Sequence, residues 1–284
     1  MEGTLARPNK RGNRGWLKVL AAGIALYFIS LIVLIVTGNP NLFPTVVMIG
    51  NFLVPVTYVA FFYERRHLSQ LSMLTTAYTF FYGGLLGVLA SSVLEPFFIR
   101  QMDLVSVLEI GIIEEGVKIL GVILIARRWQ HDSEMDGLIL GAAAGMGFAA
   151  LESMGYAFTA FLQSQGSLSA TVGTTLLRGI LAPIGHGTWT AILASVLFRE
   201  SRGTHFRING KVLGAYLIVS LLHSMWDGLP AYINPVLSTG PDVLVAQTLI
   251  GVTGLVILWL RWREARRLQS EQEPLFAPED QPQV

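Results

Sequence analysis

The apolar positions of this chain fall into long runs separated by short polar connections. Eight runs reach the length of about 20 residues that a helix needs to cross a bilayer. They lie at 16–37, 42–63, 71–95, 103–126, 136–162, 174–198, 211–231 and 241–262. Apolar residues run all round these segments, as expected for helices bathed in lipid and packed on one another. Only helices satisfy their own backbone groups in hydrocarbon, so the pattern predicts an all-α bundle of about eight transmembrane helices.

Composition agrees. The 284 residues are 52% hydrophobic and 14% charged, against about 25% charged in a soluble domain. Net charge is +1, so bulk charge points to neither nucleic acid nor acidic substrates, and the expected surroundings are the lipid bilayer. There is no cysteine, which excludes a thiol nucleophile, disulfides and thiolate metal sites.

The placement of charge is more informative than its total. Lys and Arg cluster before the first run (Arg7, Lys10, Arg11, Arg14), after the second (Arg65, Arg66) and after the fourth (Arg127, Arg128). They recur after the sixth (Arg199, Arg202, Arg207, Lys211) and the eighth (Arg261, Arg263, Arg266, Arg267), while the alternate loops are nearly free of them. This positive-inside pattern with an even number of spans predicts that both termini are cytoplasmic. Residues 1–15 then form a basic cytoplasmic segment and 16–262 the membrane domain, with a polar, disordered tail at 263–284. The first run is too long for a signal-peptide core and no small-x-small cleavage site follows it, so it reads as retained.

Ionisable side chains inside the runs are few. The fourth run holds Glu109, Glu114, Glu115 and Lys118, and the fifth holds Glu152. The sixth holds Arg178 and His186, and the seventh His223 and Asp227. At 1.5 Å per residue, Glu115 and His186 lie roughly 18 Å from the outer face, and Glu152 and His223 about 15 and 13 Å. Four helices therefore place carboxylates and imidazoles in one layer. Glu109 and Arg178 fall nearer the outer interface and read as snorkelling groups or as partners of each other.

Spacing adds detail. Lys118 follows Glu114 by four residues and Glu115 by three, within reach of either carboxylate. His223 and Asp227 are also four apart, which permits an Asp–imidazole hydrogen bond that fixes the tautomer. Pro183, three residues before His186, would kink the sixth run. Small residues at Gly141, Ala144, Gly145, Gly147 and Ala149 allow close helix approach. Phe148 and Trp189 read as packing, and His186 alone reads equally as an interhelical hydrogen-bond partner. Charged groups at this depth cost several kcal/mol without partners, which points to function. Two chemistries fit the layer. One is amide hydrolysis by carboxylate- and imidazole-activated water, with or without a divalent metal; a zinc site of His, His and Glu would leave a position for water. The other is a proton or cation pathway in a transporter.

The order of motifs is Glu114-Glu115-x-x-Lys118, Asp136-Gly137, Gly147-Phe148-Ala149-x-x-Glu152, a span with His186, and His223-x-x-x-Asp227. In spacing and placement it resembles the PrsW-type intramembrane proteases, relatives of the CAAX prenyl endopeptidases and bacteriocin-processing membrane proteins, over residues 70–232. The resemblance implies a multi-pass bacterial plasma-membrane peptidase that cuts membrane-associated proteins, anti-sigma factors among them. By position, Glu114 or Glu115 would be the water-activating base, with Glu152, His186 and His223 around it. Lys118, Asp227 and Phe148 would support them. Any metal, zinc for example, would sit on Glu152, His186 and His223. Asp227 stands where the CAAX-type relatives carry an Asn, and Glu152 where they carry a His. The outward bias of the layer argues against prenylated cytosolic substrates.

Overall fold

The computed structural model describes residues 14–66, 69, 71–101, 103–127, 133–181, 184–233 and 241–272. Among these residues the chain forms ten α-helices and no strand. They are α1 (Gly15–Thr37), α2 (Phe43–Tyr63), α3 (Met73–Tyr78), α4 (Gly84–Phe98) and α5 (Leu104–Ala126). There follow α6 (Glu134–Gln163), α7 (Leu168–Leu181), α8 (His186–Glu200), α9 (Gly210–Ile233) and α10 (Pro241–Gln272). A π-helical segment, Thr79–Gly83, joins α3 to α4.

Local chemistry sets the boundaries. Ser72, Asp103 and Ser133 each accept a hydrogen bond from the backbone N–H three residues on, capping α3, α5 and α6. Gly38 closes α1 in the left-handed conformation, φ 62°, and its N–H donates to the Leu34 carbonyl.

Six helical stretches are long and apolar enough to cross a membrane: Gly15–Thr37, Pro40–Tyr63, Met73–Phe98, Glu134–Gln163, Leu168–Glu200 and Leu244–Glu271. Helices α5 and α9 have the same reach, 23 and 24 residues, but α5 carries charge along its length. The protein is thus an all-α, multi-pass membrane bundle. Two expected spans have a different internal form. The run at 174–198 is two helices, beginning at Leu168 and broken after Leu181, so that His186 opens α8. Ala182 and Pro183 lie outside the described residues. The last run continues as helix to Gln272 rather than ending near 262, and the remainder of the expected tail lies outside the described residues.

Helix α6 is the axis of the bundle. Of its most apolar window 83% is buried, against 11% for α1, whose exposed Leu, Ile and Phe face the lipid position. Glycine makes this possible. A Cβ on Gly141 or Gly145 would run into the carbonyl oxygens of Thr190 and His186, so the backbones of α6 and α8 are in contact along this stripe. On the opposite side, Gly147 meets the carbonyl of Phe80 in the π-helical segment, and Gly84 meets Gly147 and Phe148. At the end where α6 begins, Glu134 pairs with Arg261 of α10 at 2.5 Å, tying the last helix to the core.

Candidate active site

Where α5, α6, α8 and α9 converge, the expected polar layer is assembled. Glu115, Lys118 and His223 are completely inaccessible, and Glu114 and His186 are 5% exposed. The Lys118 ammonium has three protons to place and finds three acceptors. These are Glu114 Oε2 at 3.0 Å, Glu115 Oε1 at 2.9 Å and His186 Nδ1 at 2.9 Å. Its fourth side is the Phe148 ring, 4.1 Å from Nζ to centroid, a cation–π contact. Phe148 thus touches the site's central charge, beyond the packing role read for it.

The two glutamates differ in their surroundings. Both oxygens of Glu115 are engaged: Oε1 by Lys118 and by His223 Nδ1 at 3.0 Å, Oε2 by the Thr190 hydroxyl at 2.9 Å. Glu114 shares Oε2 with Lys118 and lies 3.4 Å from His223 Nε2 through the same oxygen. The imidazoles are held as firmly. His223 stacks on Trp189 at 4.8 Å between centroids, and the two histidine rings stand edge to face at 4.9 Å. Because an ammonium can only donate, His186 Nδ1 accepts, and its Nε2–H faces Glu152 Oε2 at 3.2 Å.

His223 Nε2 is the exception. Asp227 Oδ2 is 3.0 Å away and Glu114 Oε2 3.4 Å, yet this fully buried nitrogen makes no hydrogen bond of acceptable geometry. With Nδ1–H directed at Glu115, Nε2 presents a lone pair to two carboxylates. Such an arrangement calls for a proton or a cation between them. The donor atoms of Glu114, His186 and His223 all lie within 4.8 Å of one another, and two imidazoles with one carboxylate are the donor set of hydrolytic zinc centres. This donor set could hold a divalent metal once Lys118 no longer donates to His186 Nδ1, the nitrogen whose lone pair a metal would take.

Toward the mouth the groups are more open. Glu152 is 20% and Arg178 26% exposed at the side chain, and they pair at 2.6 Å. Arg178 also donates to Ser153 Oγ at 3.1 Å and lies over the Tyr156 ring. The sequence reading placed Arg178 at the interface because it started the span at 174. With α7 beginning at Leu168, Arg178 sits well inside the helix and reaches the polar layer rather than Glu109 or solvent. Glu109 is half-buried and lies apart from the layer.

Three residues escaped the sequence reading. Thr190 could have been found, being one helical turn beyond His186 on the same face. Trp189 reads from sequence as packing, and in the structure its ring stacks on His223. Glu95 fell at the expected end of a span, beside Pro96. The helix passes through that proline to Phe98, and Glu95 lies within electrostatic reach of Glu114, Glu152, His223 and Lys118.

A multi-pass helical bundle that buries carboxylates and imidazoles where four helices meet defines a membrane protein with an ionisable centre inside the bilayer. More particularly, the chain belongs to the PrsW family intramembrane metalloproteases, whose family model matches residues 71–260. Neither the curated proteins nor the solved structures gave a match. Family membership decides between the two chemistries the layer allowed, in favour of proteolysis over transport.

Proposed function

We propose that the protein cuts membrane-protein substrates in a metal-dependent reaction at the group formed by Glu114, His186 and His223. The observation that carries this reading is the buried Nε2 of His223, which lies between Asp227 Oδ2 at 3.0 Å and Glu114 Oε2 at 3.4 Å without an aligned hydrogen bond to either. A divalent ion such as zinc, when bound there, supplies an acidified water and a polarised scissile carbonyl. Glu114 takes the ligand place that the resemblance gave to Glu152.

The chain's own residues do the rest. Glu115 orients His223 through Nδ1 and is itself held by Thr190, an outer carboxylate–imidazole pair of the kind that fixes ligand geometry. Glu152 is the water-activating base: unlike Glu115 it reaches the mouth, where Arg178 and His186 fix the position of its Oε2. Lys118 holds the charge of the glutamate pair, and Asp227 steadies His223 from the open side.

Of the exposed members, Glu152 and Asp227 lie in the halves of their helices that the charge pattern assigns to the outside, and Arg178, in the last turn of α7, reaches Glu152 from the outer-entering helix. This supports a pocket opening on the outer face, both termini in the cytoplasm of a bacterial cell, and substrates cut near their outer juxtamembrane segment. Anti-sigma factors or similar single-span regulators fit that description.

Metal content tests the reading. Wild-type protein purified in detergent should retain about one equivalent of a divalent ion on the three-ligand scheme, and Glu114→Gln, His186→Gln and His223→Gln should each lose most of it. Equal metal content in wild type and all three folded variants would contradict it.

A further inference from the structure

The face of α4 that meets the site runs Gly84, Gly87, Ser91, Glu95, at helical spacing. Its inner end is fixed by contact: a Cβ on Gly84 would meet Gly147 and Phe148, and one on Gly87 would lie 3.8 Å from Lys118 Cγ. Ser91 is buried on the same face. Eight residues beyond Gly87, roughly 12 Å further toward the mouth, the face ends on Glu95. It is half-buried and, counted along the parallel α6 from the Gly84–Gly147 contact, lies just beyond the turns that carry Glu152 and Tyr156, on the outer side of the site.

The charges at this mouth do not balance. Even with a divalent ion at the proposed site, five carboxylates (Glu95, Glu114, Glu115, Glu152 and Asp227) face four positive charges, and the two permanent cations are both engaged elsewhere. Lys118 is held by Glu114 and Glu115, and Arg178 by Glu152. Among the described residues Glu95 has no ion-pair partner. An ionised carboxylate without a partner in a membrane-spanning helix costs several kcal/mol, and a basic group brought from outside the chain would stabilise it.

We infer that Glu95 is a specificity-determining residue which pairs with a basic side chain of the substrate beside the scissile bond. The inference rests on the proposed site, because the substrate segment must lie between α4 and the Glu152–Asp227 side of the mouth to meet both. Lys or Arg within a few residues of the cut would supply the missing cation as the substrate binds. Asp or Glu there would add to an already negative mouth.

A proteome-derived peptide library, digested by the full-length enzyme in lipid nanodiscs and sequenced by mass spectrometry, reads this directly. Wild type should favour Lys or Arg over Asp or Glu near the cleaved bond by at least about tenfold. Glu95→Gln should flatten that preference while still cleaving, and Glu95→Lys should invert it. A wild-type profile indifferent to charge, or one unchanged in Glu95→Lys, overturns the inference. Glu115→Gln separates the two readings. If it alone is impaired while the Glu95 variants share the wild-type profile, the site stands and the role of Glu95 falls. If Glu115→Gln cleaves as wild type does, or wild type cuts nothing, the site reading falls as well.

Discussion

Lys118 is the residue on which the buried layer depends. Its ammonium lies within 3.0 Å of two carboxylates and an imidazole, all out of reach of water. Removing one partner from such a set leaves uncompensated charge in a low-dielectric interior, at a cost of about 3–5 kcal/mol. Lys118→Met in metal-free protein should therefore lower the thermal unfolding midpoint in detergent markedly, measured by scanning calorimetry. An unchanged midpoint would mean that the pair is not carrying the layer. Arg178 makes a gentler case. It acts through Glu152, so Arg178→Met should lower kcat by about 10–100-fold with little change in KM, and Arg178→Lys should restore part of it. At this scale the sequence was most legible where residues share a helix. Glu114, Glu115 and Lys118, and likewise His223 and Asp227, sit at separations that only a helix turns into contacts. Arg178 with Glu152, and Thr190 with Glu115, join different helices, and no spacing within one helix encodes those distances.

The elements were legible for a physical reason: in a membrane the apolar run is the helix, so α1, α2, α5, α6 and α9 begin and end within a few residues of the expected limits. The reading failed where hydropathy is blind to backbone form. The π-helical Thr79–Gly83 is apolar and continuous in sequence, whereas the change from α7 to α8 comes where Pro183, itself outside the described residues, predicts a kink. The small-residue run in α6 was read correctly as close packing, and it has a testable consequence. Gly145→Val places a side chain against the His186 carbonyl, so α8 must move and carry His186 with it. Overpacking of this kind costs about 1–3 kcal/mol. The variant should melt earlier and lose proteolysis, although no polar group has changed. Gly155→Ala, where a Cβ meets nothing within 4 Å, should behave as wild type in both assays.

For the whole molecule, the proposed orientation follows from the charge pattern of the loops, and the proposed outward opening from the positions of Glu152 and Asp227. The chain contains no cysteine, so single-cysteine variants need no prior background changes. Cysteines near Leu162 and Ile99 should react with an impermeant maleimide on intact cells. Those near Arg65 and Arg202 should react only after lysis. The reverse pattern would turn the pocket to the cytoplasm. Proteolysis at the four-helix junction is the central claim, and reconstituted activity tests it most directly. Wild-type protein, His223→Gln and Glu115→Gln would be placed in nanodiscs with a single-span reporter carrying a basic outer juxtamembrane segment. Cleavage by wild type, with a loss of at least about 100-fold in folded His223→Gln and of about 10–100-fold in folded Glu115→Gln, is the result expected. Cleavage at the wild-type rate by either variant would contradict it.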